Sequence, residues 1–546
     1  MAYIKVDTKK SGHYLRIMES HRQGTKVDKR ELFTLGKIEN FKPNELASIG
    51  KRLLQLSGYS IEDIAKFQAM TNVGHYNYGY QLIVKCLLNM FGIERFFEKN
   101  LRSRKMRYDF LTLLQLMLCE RLQEPGSKLG NYLRREDYYG KFETIALHQL
   151  YRSLDVLNQY KDELQVHLYR QQKNLFNIDL KIALYDVTTL YFESQRREEN
   201  TLRKKGYSKD GKAHKLQLVL GLLTDTLGNA YGYTVYQGNT FEGNTLIAEV
   251  EKIKKKLGCG DITIVADNGM MNADNIAAIE NCQYQYIIGE PIKKLSETSI
   301  THLLDKKNYS TITIATDEES MPIHYSVLKQ NDKTIICTYS TIRAIKDKHE
   351  REHLIAKAKL WIEKPSKHKS RKKKGAGRYV IEKGKNTYGL DIEKIKADSR
   401  FDGYKSISTN KVKPDIADCL TQYKNLYQVE HAFRTIKSIL EIRPIYVRTD
   451  EHIQGHICMC FIAYVIVTRL RTQLLQHHQK LSTLEIIRAL DKMQVAEIEH
   501  HQGMPTLFMP TPLTENQKII LNHLKITPLK NIESATSLNY KLQYKK

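Results

Sequence analysis

Two aspartates and one glutamate have the sequence surroundings of residues that hold a cation. Asp186 and Asp267 each end an apolar run typical of a buried strand, and Glu430 lies in a helical pattern. A carboxylate at the end of such a strand must reach solvent or bind a cation. If the two strands are neighbours, their like charges require a metal ion or a shared proton. The alternative is that each aspartate caps the turn or helix that follows it. Thr188 and Thr189, just after the first aspartate, are predicted to be ordinary turn or strand residues.

Glu430 shares a predicted helix face with other residues suited to phosphate chemistry. Tyr423, Glu430 and Lys437 are seven residues apart, which is close to two helical turns for each step. Arg434 falls near the same face. A face with these residue types in register is unusual for a core stripe. The alternative is a solvated face on which Glu430 pairs with Arg434.

The pattern around the acids predicts an α/β fold with a mixed sheet covered by helices. Between residues 180 and 289 the order is three strands, helix, strand, helix, strand. The first strands form a meander and the later ones α/β crossovers. Residues 13–38 are predicted to form a β-hairpin, and residues 43–172 and 414–476 are predicted to be largely helical. Both aspartates therefore belong to one sheet, and we expect them to converge with Glu430.

The charge balance favours a polyanionic partner. The 546 residues include 86 Lys and Arg against 61 Asp and Glu, a formal net charge of +25. Phosphates met by these cations release condensed counterions, so nucleic acid is favoured over a merely basic enzyme. The start has no secretory-signal pattern, no apolar run has the length of a membrane span, and the eight cysteines lack paired zinc spacings. We expect a cytoplasmic protein without membrane association.

A dense run of cations near the middle of the chain is a candidate clamp for a nucleic-acid backbone. We call residues 367–374 the basic segment; its cations are Lys367, Lys369, Arg371, Lys372, Lys373 and Lys374. The alternative is a solvated loop. Trp361, the only tryptophan, precedes this segment and is predicted to pack in a helix.

Taken together, the acids resemble those of the RNase H-like DDE transposases, with Asp on the first strand, Asp on the fourth and Glu on a late helix. The spacing of Tyr423, Glu430 and Lys437 is similar to the signature helix of the insertion-sequence-four superfamily, Tyr-x2-Arg-x3-Glu-x6-Lys. The resemblance covers roughly residues 179–470. It implies an RNase H-like mixed sheet flanked by helices, interrupted by a β-rich insertion and preceded by a largely helical N-terminal region.

One position departs from that signature. Leu426 stands where the signature has arginine, which resembles the 1634-type group of the superfamily. Arg434 is then the candidate for the missing phosphate contact. The segment 401–403, Phe-Asp-Gly, also resembles one that precedes the Glu helix in this group.

The resemblance implies metal-dependent cleavage and joining of DNA. Asp186, Asp267 and Glu430 would be the catalytic residues and the metal ligands. Their hard oxygens suit Mg²⁺ or Mn²⁺ better than zinc, and two ions are expected. Lys437 would neutralise a phosphate beside the site, and Tyr423 would donate a hydrogen bond to one.

The implied partner is double-stranded DNA, namely the terminal inverted repeats of an insertion sequence and the target DNA. A homodimer in the DNA complex and association with the nucleoid are further expectations. Two alternatives remain. One is an RNase H-like nuclease or resolvase that cuts without joining, and the other is a non-catalytic DNA-binding protein derived from a transposase.

These patterns divide the chain into five predicted segments. They are a DNA-binding, largely helical N-terminal region (1–178), the first part of the catalytic domain (179–290), a β-rich and basic insertion (291–414), the second part of the catalytic domain with the Glu helix (415–476) and a helical C-terminal tail (477–546).

Overall fold

The computed structural model describes most of the chain, namely residues 2–9, 11–23, 26–58, 70–140, 142, 144–176, 180–192, 202–206, 215–258, 260–270, 272–315, 320–363, 375–384, 387–500 and 505–543. These residues form two compact units. The smaller comprises Met1–His75, Val495–Pro510 and Leu529–Leu538, and the larger comprises Tyr76–Gln494, Thr511–Pro528 and Asn539–Lys546. Every described residue of the candidate site lies in the larger unit. The basic segment lies outside the described residues.

The chain begins with an antiparallel sheet of strands β1 (Ala2–Lys9), β2 (Gly12–Gln23) and β3 (Lys26–Lys37), in that order. The predicted hairpin over residues 13–38 is confirmed by the pairing of β2 with β3. Helix α1 (Pro43–Leu56) and strand β4 (Met70–Asn77) follow.

Helices dominate the next part of the chain. They are α2 (Tyr78–Met90), α3 (Ile93–Leu101), α4 (Phe110–Gln123), α5 (Lys128–Leu133) and α6 (Leu147–Phe176). Asp109 starts α4 by accepting hydrogen bonds from the backbone N–H groups of Leu111 and Thr112, which satisfies two donors that a helix end leaves open. The helical pattern predicted for residues 43–172 is confirmed for the described part of this stretch, except at β4.

The predicted alternation of strands and helices then appears in the expected order. The elements are β5 (Ile182–Tyr191), β6 (Gln217–Thr224), β7 (Ala230–Gln237), α7 (Leu246–Lys252), β8 (Thr263–Ala266), α8 (Ala273–Asn281) and β9 (Gln285–Glu290). The turn between β6 and β7 closes through Asp225, whose side chain accepts from the backbone N–H groups of Leu227 and Asn229. Asn272 caps α8.

The region predicted as an insertion contributes further strands and helices. They are α9 (Glu297–Leu304), β10 (Ser310–Ala315), β11 (Ser320–Gln330), β12 (Lys333–Tyr339), α10 (Thr341–Glu363), β13 (Val380–Gly384), β14 (Thr387–Leu390), α11 (Ile392–Ser399) and β15 (Tyr404–Thr409). The short β-type runs at 310–315 and 333–339 and the charged helical pattern at 345–361 predict β10, β12 and most of α10.

Within the described residues, nine strands form one mixed sheet in the order β10-β11-β12-β15-β9-β8-β5-β6-β7. Strand β8 runs parallel to β5 and to β9, whereas the other neighbours are antiparallel. The predicted α/β class, a mixed sheet flanked by helices, is therefore confirmed and is consistent with an RNase H-like domain. The strands of the predicted insertion extend this sheet, because β15 pairs with β9.

The late helices are α12 (Ile416–Lys424), α13 (Tyr427–Ser438) and α14 (Asp450–Gln476). The prediction that Tyr423 and Glu430 share one helix is wrong, because Asn425 and Leu426 form a tight turn between α12 and α13. Here hydrogen bonds span three residues, as from the Leu426 N–H to the Tyr423 carbonyl. The helical spacing is thus shortened between the two residues.

Helix α14 is the core helix of the larger unit. Its apolar stretch is long enough to cross a membrane, with a mean hydropathy of 1.6, but 94% of that stretch is buried inside the protein. It packs against α6, α4 and β7. An apolar helix so enclosed is explained by core packing.

The remaining elements are α15 (Thr483–Asp491), β16 (Gln494–His500), β17 (Leu507–Pro510), α16 (Glu515–His523), β18 (Glu533–Ser534) and α17 (Ala535–Gln543). The helical stretches predicted for residues 477–546 therefore alternate with strands. Strands β16, β17 and β18 join β4 in a sheet of order β18-β17-β16-β4.

Candidate active site

Asp186 and Asp267 stand side by side on neighbouring parallel strands. Tyr185 of β5 pairs with Ala266, the last residue of β8; Asp186 is the next residue of β5, and Asp267 directly follows β8. Neighbouring strands lie about 4.8 Å apart. Asp186 is not at the end of its strand, as the sequence suggested, since β5 continues to Tyr191 in its pairing with β6. It is β8 that stops after four residues, at Ala266, directly before Asp267.

The surroundings of the two aspartates differ. Asp186 is half-buried, and its Oδ1 accepts a hydrogen bond of 2.7 Å from the backbone N–H of Val187. Asp267 is exposed and accepts a hydrogen bond of 3.1 Å from the hydroxyl of Tyr423. Both carboxylates therefore have an orienting partner. Thr188 and Thr189 are buried in β5, as ordinary strand residues are.

Tyr423 reaches Asp267 through a gap that a glycine leaves in the sheet. Its side chain is buried, with only 7% of it exposed. A Cβ atom added to Gly289 of β9 would lie 2.6 Å from the Tyr423 hydroxyl oxygen and 2.8 Å from the Asn268 backbone nitrogen. Burial, reinforced by the Asp267 carboxylate, raises the pKa of Tyr423 above its ordinary value. The hydroxyl is therefore a neutral donor.

Glu430 is presented by a helix whose other face is buried. Val429, Ala432, Phe433 and Ile436 of α13 are buried, and the helix packs against β5 and β6. Glu430 itself is exposed. Its negative charge acts on the ammonium group of Lys405, as does that of Asp267. The second aspartate and the glutamate thus face a common cation.

The segment that follows α13 is anchored to the core. The guanidinium of Arg121, in α4, donates hydrogen bonds of 3.1 Å to the carbonyl oxygens of Leu440 and Glu441. The Nε2 atom of His456, in α14, lies 3.2 Å from the carbonyl oxygen of Ile442. These buried polar contacts fix the end of the helix that carries the glutamate.

Lys405 and Arg343 are site residues that the sequence interpretation missed. The Lys405 ammonium lies 4.5 Å from the centre of the Tyr423 ring, a cation–π contact. Although Lys405 is an exposed residue, partial loss of hydration lowers its pKa, and the positive charge of Arg343 lowers it further. The charges of Asp267 and Glu430 oppose both effects. A signal was present, since Lys405 comes two residues after the Phe-Asp-Gly segment.

That segment forms a turn that ties β15 to the start of α10. Gly403 has φ of +85°, and a Cβ there would lie 2.7 Å from the carbonyl oxygen of Ser340. Its N–H donates to Asp347 Oδ2 at 3.0 Å, and Asp402 pairs with Arg351. The turn therefore holds the helix that carries Arg343 against the strand that carries Lys405.

The remaining predicted residues lie as follows. Lys437 is half-buried and Arg434 is exposed, both in α13. The pKa of His431 is lowered by burial and by the charges of Arg471 and Arg434. Trp361 packs against a buried cluster that includes Ala358 and Tyr379, which agrees with its predicted structural role.

The donor chemistry of the three acids fits a hard divalent cation. Carboxylate oxygens are the preferred ligands of Mg²⁺ and Mn²⁺, and Asp186 and Asp267 are adjacent in register. In the part of the chain that the structure describes, however, no three His, Cys, Asp or Glu side chains already form a metal-binding group. The site has suitable ligands but is not a preformed cage.

The sequence comparison agrees with this geometry. A family profile described as the transposase DDE domain matches residues 178–466, more than half of the chain, so the protein belongs to the transposase DDE domain family. No curated protein matches the chain at a significant level. The matched residues contain β5, β8 and α13, the three elements that carry the acids. Such transposases are DNA-acting enzymes that generally use divalent metal ions.

Proposed function

We propose that this protein cuts and joins DNA at the ends of an insertion sequence by cut-and-paste transposition. The observation that carries the proposal is the pair of aspartates that directly follow the paired residues Tyr185 and Ala266 of β5 and β8, one of them held by Tyr423. Within this proposal the chain belongs to the insertion-sequence-four superfamily, in its 1634-type group. Asp186, Asp267 and Glu430 are the catalytic acids.

The proposed chemistry is an in-line displacement at a DNA phosphate. When bound by the three acids, two Mg²⁺ or Mn²⁺ ions would supply positive charge at the attacking and leaving oxygens. The hydroxyl of Tyr423 holds the Asp267 carboxylate in one orientation. Lys437 neutralises a phosphate beside the acids, and Arg434 replaces the arginine that the signature lacks at position 426.

The remaining segments have proposed roles in holding DNA. Residues 1–178 bind the element ends, and the basic segment of the insertion clamps the DNA backbone. The catalytic domain is split into residues 179–290 and 415–476 by the insertion. We further propose that a homodimer binds the terminal inverted repeats and the target DNA, in the cytoplasm and in association with the nucleoid.

The test is a reaction of the purified protein with DNA that carries the ends of its element. We expect Mg²⁺-dependent 3′-hydroxyl ends and covalent joining to a second DNA, and we expect EDTA to abolish both. Cleavage without joining would instead indicate a nuclease or resolvase. Binding without either product would indicate a non-catalytic DNA-binding protein.

A further inference from the structure

Two cations from the region between β9 and α12 lie beside the acids and outside the Tyr-Glu-Lys signature. Lys405 is the second residue of β15, and Arg343 lies in the first turn of α10. The charge of Arg343 acts on both Lys405 and Tyr423. Tyr423 in turn donates to Asp267. The two cations therefore belong to the immediate surroundings of the acids.

Their positions are fixed by the fold. The ring of Tyr423 supports the Lys405 ammonium at 4.5 Å. The turn at Asp402 and Gly403 holds α10 against β15 through the pair with Arg351 and the hydrogen bond to Asp347. A long lysine side chain held in this way loses less conformational freedom on binding a ligand than a free one.

Acidic side chains surround the two cations: Asp267 and Glu430 act on Lys405, and Asp347 Oδ2 lies 3.6 Å from Arg343 Nε. Asp267 and Glu430 offset the repulsion between Lys405 and Arg343. Carboxylates that ligate divalent cations no longer balance neighbouring ammonium and guanidinium groups. The Lys405 ammonium, with the positive charge of Arg343 beside it, then attracts another anion, and a DNA phosphate is the anion that an enzyme of this family brings to its acids.

We propose that Lys405 and Arg343 bind a backbone phosphate of the processed DNA strand, next to the phosphate that is cut. This inference rests on the proposed function and deepens it. The two residues are substrate-binding residues, and the Asp402–Gly403 turn is the structural element that positions them.

The test measures the binding of end-bearing DNA as a function of salt concentration. Ca²⁺ is used as the divalent cation so that cleavage does not interfere with the measurement of affinity. Lys405→Met keeps the aliphatic stem and removes the charge. We expect binding to weaken by about tenfold and the log–log salt slope to flatten by about 0.9. Lys405→Arg should restore most of the affinity. Lys329→Met, an exposed residue of β11 two strands away from β15, is the matched control and should leave the slope unchanged.

A second arm identifies the phosphate. Methylphosphonates, which lack the charge, are placed one at a time around the cut. At one position, wild-type binding should fall to the level of Lys405→Met, and that variant should lose nothing further. With the methylphosphonate at that position, Arg343→Ala should likewise cause no further loss of DNA binding. The inference would be overturned if the effects of Lys405→Met and of a methylphosphonate on binding were fully additive at every position. An unchanged salt slope in Lys405→Met would overturn it as well. Failure of the wild-type protein to cleave end-bearing DNA in Mg²⁺ would instead overturn the proposed function.

Discussion

The substitution Gly289→Ala tests whether the gap in β9 is what allows Tyr423 to hold Asp267. The added methyl group would lie 2.6 Å from the Tyr423 hydroxyl and 2.8 Å from the Asn268 nitrogen, so both must move. Overpacking of this kind costs about 1–3 kcal/mol. Loss of the hydrogen bond to Asp267 adds about 1 kcal/mol, because that carboxylate is exposed and water replaces the donor.

The assay is urea unfolding of four proteins: wild type, Gly289→Ala, Tyr423→Phe and the double variant. Removing the hydroxyl removes the closest of the clashes, so the double variant should be more stable than the sum of the single effects predicts. We expect a coupling of about 1 kcal/mol. The clash with the Asn268 backbone persists, so the rescue should be incomplete.

The control is Gly260→Ala, where an added Cβ meets nothing within 4 Å. It should change the free energy of unfolding by less than about 0.5 kcal/mol. Additive effects of Gly289→Ala and Tyr423→Phe, within about 0.3 kcal/mol, would refute the account of this gap.

Three further perturbations have defined outcomes. Alanine at all six cations of the basic segment should weaken binding to every DNA sequence alike and flatten the log–log salt slope by about 0.9 for each lost phosphate contact. Gel shifts at several salt concentrations measure this slope, and an unchanged slope would mean that the basic segment does not contact DNA. Lys437→Ala should lower cleavage and DNA engagement at the site but leave metal affinity intact, which a Mn²⁺ titration checks; weakened Mn²⁺ binding would contradict a phosphate-binding role. Burial lowers the pKa of Lys128 to about 7. Between about pH 7 and 10 the unfolded chain therefore binds more protons than the folded one, and this group makes the protein more stable as pH rises through that range. Lys128→Met should remove that part of the pH dependence of unfolding, whereas an identical dependence in both proteins would show that Lys128 is charged in the fold.

The part of the sheet that carries the aspartates is predictable from local patterns. Apolar runs ending in Asp186 and Asp267, with the short turn at Asp225, predict strands β5 to β9 in order. Parallel strands in one sheet then bring the aspartates together. The sequence does not give the length of β5, because its pairing with β6 continues past Asp186.

The helix break before Glu430 has no sequence signal. Asn425 and Leu426 keep backbone angles close to helical values, and neither glycine nor proline marks the turn. Strand β11 is missed for a different reason, since it contains Pro322, which sequence rules treat as a strand breaker. Both errors arise where tertiary packing overrides a local preference.

Lys405 and Arg343 are beyond local patterns because distant segments bring them to the acids. Strand β15 reaches the site by pairing with β9, more than a hundred residues earlier in the chain. Helix α10 is held there by the turn at Gly403. Neither contact follows from periodicity, so the sequence predicts the three acids with Tyr423 and Lys437 but neither Lys405 nor Arg343.

The central claim is that Asp186, Asp267 and Glu430 perform the chemistry and do not provide the DNA affinity. The most direct measurement pairs gel shift and cleavage on the same end-bearing DNA in Mg²⁺, using Asp186→Asn, Asp267→Asn and Glu430→Gln. We expect cleavage and joining to fall by on the order of 10³-fold, a barrier increase of about 4 kcal/mol, while binding is kept because other cations supply most of the affinity. Near-normal cleavage by one variant would remove that residue from the catalytic set, and normal cleavage by all three would contradict the account.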